Sequence, residues 1–344
     1  MRRPIREGYG AYMARAHMEH ALSEPGTDAP IDPEQTSVEV SQQVIGRSPW
    51  ELFWRRFRKD KVALGGALIV IVMFLIAILA PVLASFTHGP NEVHLEALDS
   101  FGIPTGPQAG FPFGVDTAGR DLMVRVAYGA RTSLFIAFFA TGIASTIGVT
   151  LGLLAGFYRG KVDTLISRTI DVVLSLPVLL LSLGLVSACG VSAEGCLGGL
   201  IKPGLLLVSY VIALFTWPYI ARIVRGQVLS LREKEFVEAA RSLGSNNRRI
   251  MFRELLPNCA ASIIVYTTLI IPNNILFEAA LSFLGIGVPQ ETPSWGRQLS
   301  DAGSIFTVAW WMMLFPGLFL FFTTLAFNLF GDGLRDALDP RTGG

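Results

Sequence analysis

The sequence predicts an all-α integral membrane protein of six transmembrane helices with a short helix pair on its cytoplasmic face. Three observations carry this. The chain has 344 residues, 51% hydrophobic and 16% charged, and the apolar residues gather into runs of the ~20 residues that cross a bilayer core. Such runs can satisfy their own backbone hydrogen bonds in lipid only as helices. Lysine and arginine collect in alternate links between the runs, which fixes one face as cytoplasmic. A net charge of +1 gives no global basic character of the kind that marks a nucleic-acid partner.

The N-terminal stretch lacks an apolar core of signal-peptide length. Residues 21–47, with Pro25, Gly26, Pro30 and Pro33 among polar residues, predict that 1–47 is a disordered cytoplasmic tail. In SPWELFWRRFRKDK (48–61), Ser48, Pro49 and Glu51 make a helix start. Trp50, Trp54 and Phe57 share a face against a basic one, as in an amphipathic helix lying on an anionic membrane surface. The first span is Val62–Phe86, the second Thr132–Tyr158 and the third Asp163–Ala188. The fourth is Pro203–Ile223, the fifth lies within Cys259–Val288, and the sixth is Phe306–Phe330.

Basic residues at 55–61, Arg159 and Lys161, eight more from Arg222 to Arg253, and Arg335 with Arg341 all fall on one face if six spans are crossed. Both termini are then cytoplasmic. Residues 62–131 make the first span and a long external loop, where Asp121 can cap a short helix whose Leu122, Val126 and Tyr128 partly face the membrane. Cys189 and Cys196 share a small external loop, so an oxidising exterior permits a disulfide, two free thiols being the alternative.

Within the spans, Gly142, Gly148, Gly152 and Gly156 allow close helix packing. Arg168 and Asp171, three residues apart, share a helix face and predict a pair near the headgroups. Pro272 bends span five, leaving Asn273 and Asn274 either to line an aqueous path or to bind a neighbouring helix. Glu278 falls near the outer rim, as a gate or substrate contact or as a partner of the following SFLG turn.

The segment REKEFVEAARSLGSNNRRIMFRELLPN (232–258) lies between spans four and five. As a helix, its EFVEAARSLG part puts Phe236, Ala239, Ala240 and Leu243 on one side. Gly244 supplies the left-handed turn that ends it. Ser245 or Asn246 can cap a second helix that runs to Leu255 and stops before Pro257.

Glu238-Ala239-Ala240, Gly244 and Leu256-Pro257 resemble the EAA motif of permease subunits in ATP-binding-cassette (ABC) importers. One position departs: Glu254 stands in the isoleucine slot before Leu-Pro. Five further blocks narrow the resemblance over about residues 50–341: WRRFRKDKVALGG, FGVDTAGRDLMVRVAYGARTSL, GKVDTLISRTIDVVLSLP, EAALSFLGIGVPQETPSWG and FNLFGDGLRDALDPR. Together they resemble the second permease subunit of dipeptide/oligopeptide/nickel importers, a prokaryotic inner-membrane component. The resemblance implies the ABC importer permease fold, with a core at 132–335, a coupling segment at 232–258 and a tail at 336–344. It implies a homologous second permease, two cytoplasmic ATPase subunits and an extracytoplasmic substrate-binding protein as partners, with ATP and Mg bound by the ATPases. The chain itself is expected to hold no cofactor, since it lacks a GxxxxGK[ST] phosphate loop and shows no metal-ligand spacing or catalytic constellation. Peptide is the implied substrate, with nickel or another small solute as the alternative. An ion-coupled carrier is the competing class; it needs protonatable or sodium-binding groups at a broken helix, and only Pro272-Asn273-Asn274 hints at that.

Overall fold

In the computed structural model, residues 49–190, 195–196 and 201–338 are described; the expected tail at 1–47 lies outside them, and of the expected tail at 336–344 only 336–338 are described, as the end of the last helix. Apolar sequence and helix-compatible spacing produce eleven helices among the described residues, joined by turns and isolated bridges.

A short helix, α1 (Pro49–Phe57), precedes α2 (Lys61–Phe86). Asp60 caps α2, accepting from the Val62 and Ala63 N–H groups at 2.9 and 3.0 Å. The apolar side of α1 does not simply lie on lipid. Phe53 and Phe57 are buried against the end of the last span, where Phe57 meets the Phe330 ring, while Trp54 stays exposed.

The expected short external helix and second span are one helix, α3 (Leu122–Tyr158). Asp121 does cap it, through Met123 N–H at 2.9 Å, but no residue between 122 and 132 breaks the winding. Leu122 and Val126 are fully buried in the protein rather than turned to the membrane. The third span is corrected the other way. It divides into α4 (Gly160–Ser175) and α5 (Val178–Gly190), bent by 86°. Proline has no N–H and forces the residue before it out of the helical region; Leu176, before Pro177, sits at φ −82°, ψ 144°. Five helices are thus long and apolar enough to cross a membrane, and six if the bent pair is one span.

The fourth span, α6 (Leu205–Leu231), runs two turns beyond its expected end and packs along α3 more extensively than any other helix pair. Glycines make that approach possible. A Cβ at Gly148, Gly152 or Gly156 would lie 2.6–2.8 Å from α6 atoms, whereas Gly142 faces open space. The expected glycine row is therefore an interior seam at three of its four positions. Arg168 and Asp171 do not pair; Asp171 accepts from Arg222 of α6 at 3.0 Å, because the antiparallel neighbour brings a guanidinium closer than the residue one turn back. Asp163 likewise accepts from two guanidinium nitrogens of Arg225, Nε and Nη2.

After the short helix α7 (Glu235–Ser242) comes α8 (Asn247–Arg249), a π-wound stretch Ile250–Leu255, then α9 (Leu256–Phe283). The second helix of the expected pair does not stop before Pro257. It continues into span five, because Pro257 falls at the start of α9, where no intrahelical N–H is needed. The preceding π turn, with Leu256 N–H reaching Met251 O, takes up the register change. A short helix, α10 (Trp295–Ala302), and the last span, α11 (Trp311–Leu338), complete the described residues.

Candidate functional site: the segment 232–258

The segment has two differently finished sides. Val237 is completely buried and Ala240 is packed beside it, both in the core formed by α3 and α6. Ile250, Met251 and Leu255 join the same core. The other side of α7 carries Phe236, Ala239 and Leu243, all exposed, Leu243 at 86%. Spaced i, i+3 and i+7, they form one apolar stripe. The four residues grouped by sequence on one side thus divide: Ala240 turns inward and the other three outward. Glu238 is exposed beside them.

The end of α7 is set by backbone geometry. Gly244 has φ +80°, a conformation that glycine enters without a Cβ penalty. Ser245 N–H then reaches Ala240 O at 3.0 Å and Gly244 N–H reaches Arg241 O at 2.9 Å, satisfying the last carbonyls of the helix. Asn246 caps α8, its Oδ1 accepting from Arg249 N–H at 2.8 Å. At the root of the segment Arg232 donates to the carbonyl oxygens of Phe157 and Gly156, which lie in the last turn of α3, where a cation also meets the negative end of the helix dipole. Burial pulls the pKa of Arg232 down, and Arg159 and Arg241 nearby add to this; as a guanidinium it stays charged at neutral pH. Arg159 pairs with Glu233, and Arg241 lies over the Phe157 ring at 5.9 Å. The ends of α3 and α6 and the start of α9 are therefore tied to one short helix. Leu256 is half-buried and Pro257 exposed; Leu255, next to Glu254, is fully buried.

Of the residues expected in the pathway, Asn273 and Asn274 border one cavity and Glu278 lies apart from it. Asn274 is buried between three helices, donating from Nδ2 to Thr141 Oγ1 at 2.8 Å and accepting from Thr216 Oγ1 at 3.1 Å. Asn273 is exposed and, with Asn274, Phe215, Tyr219, Tyr266 and Val178, borders a mainly apolar cavity of about 660 Å³. Glu278 is fully buried, accepting from Ser133 Oγ at 2.8 Å and Ser282 Oγ at 2.7 Å, so it joins α3 to the SFLG turn. Cys189 and Cys196 are disulfide-bonded with a Cα–Cα distance of 5.0 Å.

Sequence reasoning missed the layer of loop and helix over the opposite end. Arg125, wholly buried, donates to Pro90 O and Asn91 Oδ1 at 2.9 Å and pairs with Asp116 at 3.2 Å. Trp295, Gln298 and Trp311 donate to backbone carbonyls of Val126, Arg125 and Val115. The signal available was an unusual density of Trp, Arg and Asp outside the apolar runs. Among the described residues no group of three or more His, Cys, Asp or Glu side chains is arranged to hold a metal ion.

Two family profiles match the chain. One, described as "Binding-protein-dependent transport system inner membrane component", covers residues 148–344. The other, the "N-terminal TM domain of oligopeptide transport permease C", covers 48–99. The dipeptide transport system permease protein of Alkalihalophilus pseudofirmus is 40% identical over 311 residues, 90% of this chain and 96% of the relative. Glutathione transport system permease proteins of Pectobacterium atrosepticum and Escherichia coli are 39% and 41% identical, covering 86% and 87% of this chain and 92% of each relative. Among solved structures, a chain of an inward-facing methionine ABC transporter shares the fold at a TM-score of 0.52 and 20% identity, over 63% of this chain and 96% of that one.

Proposed function

The chain belongs to the family of binding-protein-dependent transport system inner membrane components, and from that premise we propose that it is the peptide-conducting permease subunit of an ATP-driven importer. It is a multi-span inner-membrane transport permease. The peptide substrate is supported by the dipeptide and glutathione permeases that it resembles. Its partners are a homologous second permease, which completes the path, two cytoplasmic ATPases, which bind ATP and Mg, and an external binding protein, which delivers the substrate. Both termini face the cytoplasm.

One observation carries the reading: the apolar stripe Phe236, Ala239 and Leu243 is exposed on a helix whose opposite side is locked into the core. An exposed stripe on a rigid mount suits a docked partner better than a lipid surface, since the helix is held away from free rolling by Val237 and Ala240. ATPase closure pushing on this stripe is transmitted through Val237 and Ala240 to α6, through Arg232 to the end of α3, and through the Asn246 cap and π turn to α9. The contacts with the ATPase must differ between the two states for the motion to be driven. In the bilayer, the Asn273 cavity would be one wall of the path.

Reconstitution tests this. Vesicles holding both permeases and both ATPases, with the binding protein outside, accumulate a labelled dipeptide only with ATP inside. Nickel uptake in place of dipeptide would correct the substrate alone. Accumulation driven by a proton gradient without the ATPases would replace the reading with an ion-coupled carrier.

A further inference from the structure

The first and second spans enclose a groove that the transport reading leaves unused. It is about 680 Å³, walled by Phe74, Ile78 and Pro81 of α2 and by Phe135 and Phe138 of α3, with Arg131 the one charged residue on its rim. Phe74 and Phe138 close its deep end, with their rings 5.2 Å apart.

Register places the groove in the bilayer. The apolar run that the sequence assigns to the span, Thr132 to Tyr158 within α3 (Leu122–Tyr158), is about 40 Å long at 1.5 Å per residue, which matches a bilayer with its headgroup layers. With the span taken from Thr132, Arg131 lies at headgroup depth on the side away from the 232–258 segment. The apolar walls follow it from Leu134 to Phe139, between one and two turns of helix. Arg131 is exposed, and none of the ion pairs among the described residues includes it. The surface around the groove is lipid-like. Only 17% of the apolar window of α2 is buried, the lowest share among the five candidate spans, and Leu68, Ile71, Leu75, Ile78 and Leu79 are all exposed.

We propose that this groove holds one anionic phospholipid of the leaflet on the Arg131 side, its acyl chain lying between α2 and α3 and its phosphate on the Arg131 guanidinium. Guanidinium–phosphate pairing gives the position its charge preference, and the phenyl walls give the chain its contact surface. The alternative occupant, a helix of the second permease, is an outcome of the test below. The inference needs only that α2 and α3 cross a bilayer, and holds whether or not the transported solute is a peptide.

The assembled transporter, in vesicles containing a photoactivatable acyl-chain phosphatidylglycerol or the matching phosphatidylcholine, provides the test. Phosphatidylglycerol should label the 131–139 peptide. Arg131→Gln should lower that labelling about fivefold, the effect of about 1 kcal/mol per surface cation, towards the phosphatidylcholine level, and Arg131→Lys should restore most of it. Ile78→Trp, at an exposed position, should fill the groove and remove labelling by both lipids while the complex still elutes intact. Equal labelling by both lipids in the parent, labelling indifferent to Ile78→Trp, or a crosslink from Phe135 to the second permease would each overturn the proposal.

Discussion

The two ends of this molecule are finished in opposite ways. At the end that carries α10, the loop from 87 to 121, the first turns of α3 and helix α10 close on one another. Trp295 is wholly buried with its indole N–H donating to Val126 O at 3.1 Å, and Arg125 is wholly buried among carbonyl and carboxylate oxygens. At the other end, α7 buries one side and leaves the other bare. A backbone device common to both ends isolates the difference. Gly285 has φ +81° and ends α9 as Gly244 ends α7, with Ile286 N–H reaching Leu281 O at 3.2 Å and Gly285 N–H reaching Ser282 O at 3.0 Å. Beside Gly285, Leu284 is about half exposed and the chain then turns inward to bury Val288; beside Gly244, Leu243 is almost fully exposed. The same turn chemistry therefore serves a chain that folds back into the core at one end and a nearly bare apolar side chain at the other. An open apolar surface on a fixed mount is what a chain presents when another chain supplies the remaining contacts.

Substitutions at the two ends should separate stability from coupling. The largest stability effect belongs to the end that carries α10: Trp295→Ala should cost about 3–5 kcal/mol, read as a lowered unfolding midpoint of the purified complex. A midpoint like that of the parent would mean that the layer around Trp295 does not hold this end together. The seam between the ends comes next. Gly152→Val puts atoms where a Cβ already lies 2.6 Å from Ala221 O, and should cost about 1–3 kcal/mol while weakening α3–α6 packing as read by protease susceptibility; wild-type resistance would show that the helices can part without loss. Gly244→Val should cost about 1–2 kcal/mol, the penalty of a left-handed residue with a side chain. It should leave membrane insertion intact yet uncouple ATP hydrolysis from uptake; normal uptake would remove the turn from the coupling path. Smallest in stability is Leu243→Ser, within about 0.5 kcal/mol as for other exposed sites. It should nevertheless reduce co-purification of the ATPases, and retained ATPases would break the contrast between the ends.

How much of this is legible in sequence depends on what each feature rests on. The spans are readable because lipid leaves apolar runs one backbone solution. Gly244 is readable because its need for positive φ is local. The 86° break is hidden in Leu176-Pro177, since an apolar run containing one proline reads equally as a kinked span. Continuity of α3 through 122–132 is hidden by a good cap at Asp121, which marks where a helix begins and not how far it goes. Asp171 is matched to the wrong arginine because periodicity sees only neighbours on the same helix, and Arg222 is 51 residues away. Asn274 illustrates the same limit: its partners Thr141 and Thr216 sit on two other helices. The division of Ala240 from Phe236, Ala239 and Leu243 requires knowing where the core lies around α7, which no local pattern carries.

The central claim is that the bare side of α7 faces the cytoplasm and is covered by the ATPases. The direct measurement is labelling of a Leu243→Cys variant with a membrane-impermeant maleimide. The native thiol at Cys259 is buried and the other two cysteines are disulfide-bonded, so the new thiol is the reporter. Labelling should occur in inverted vesicles stripped of ATPases, fail from outside intact cells, and fall sharply once the ATPases are added back. Labelling from the outside, or reactivity unchanged by the ATPases, would contradict the account.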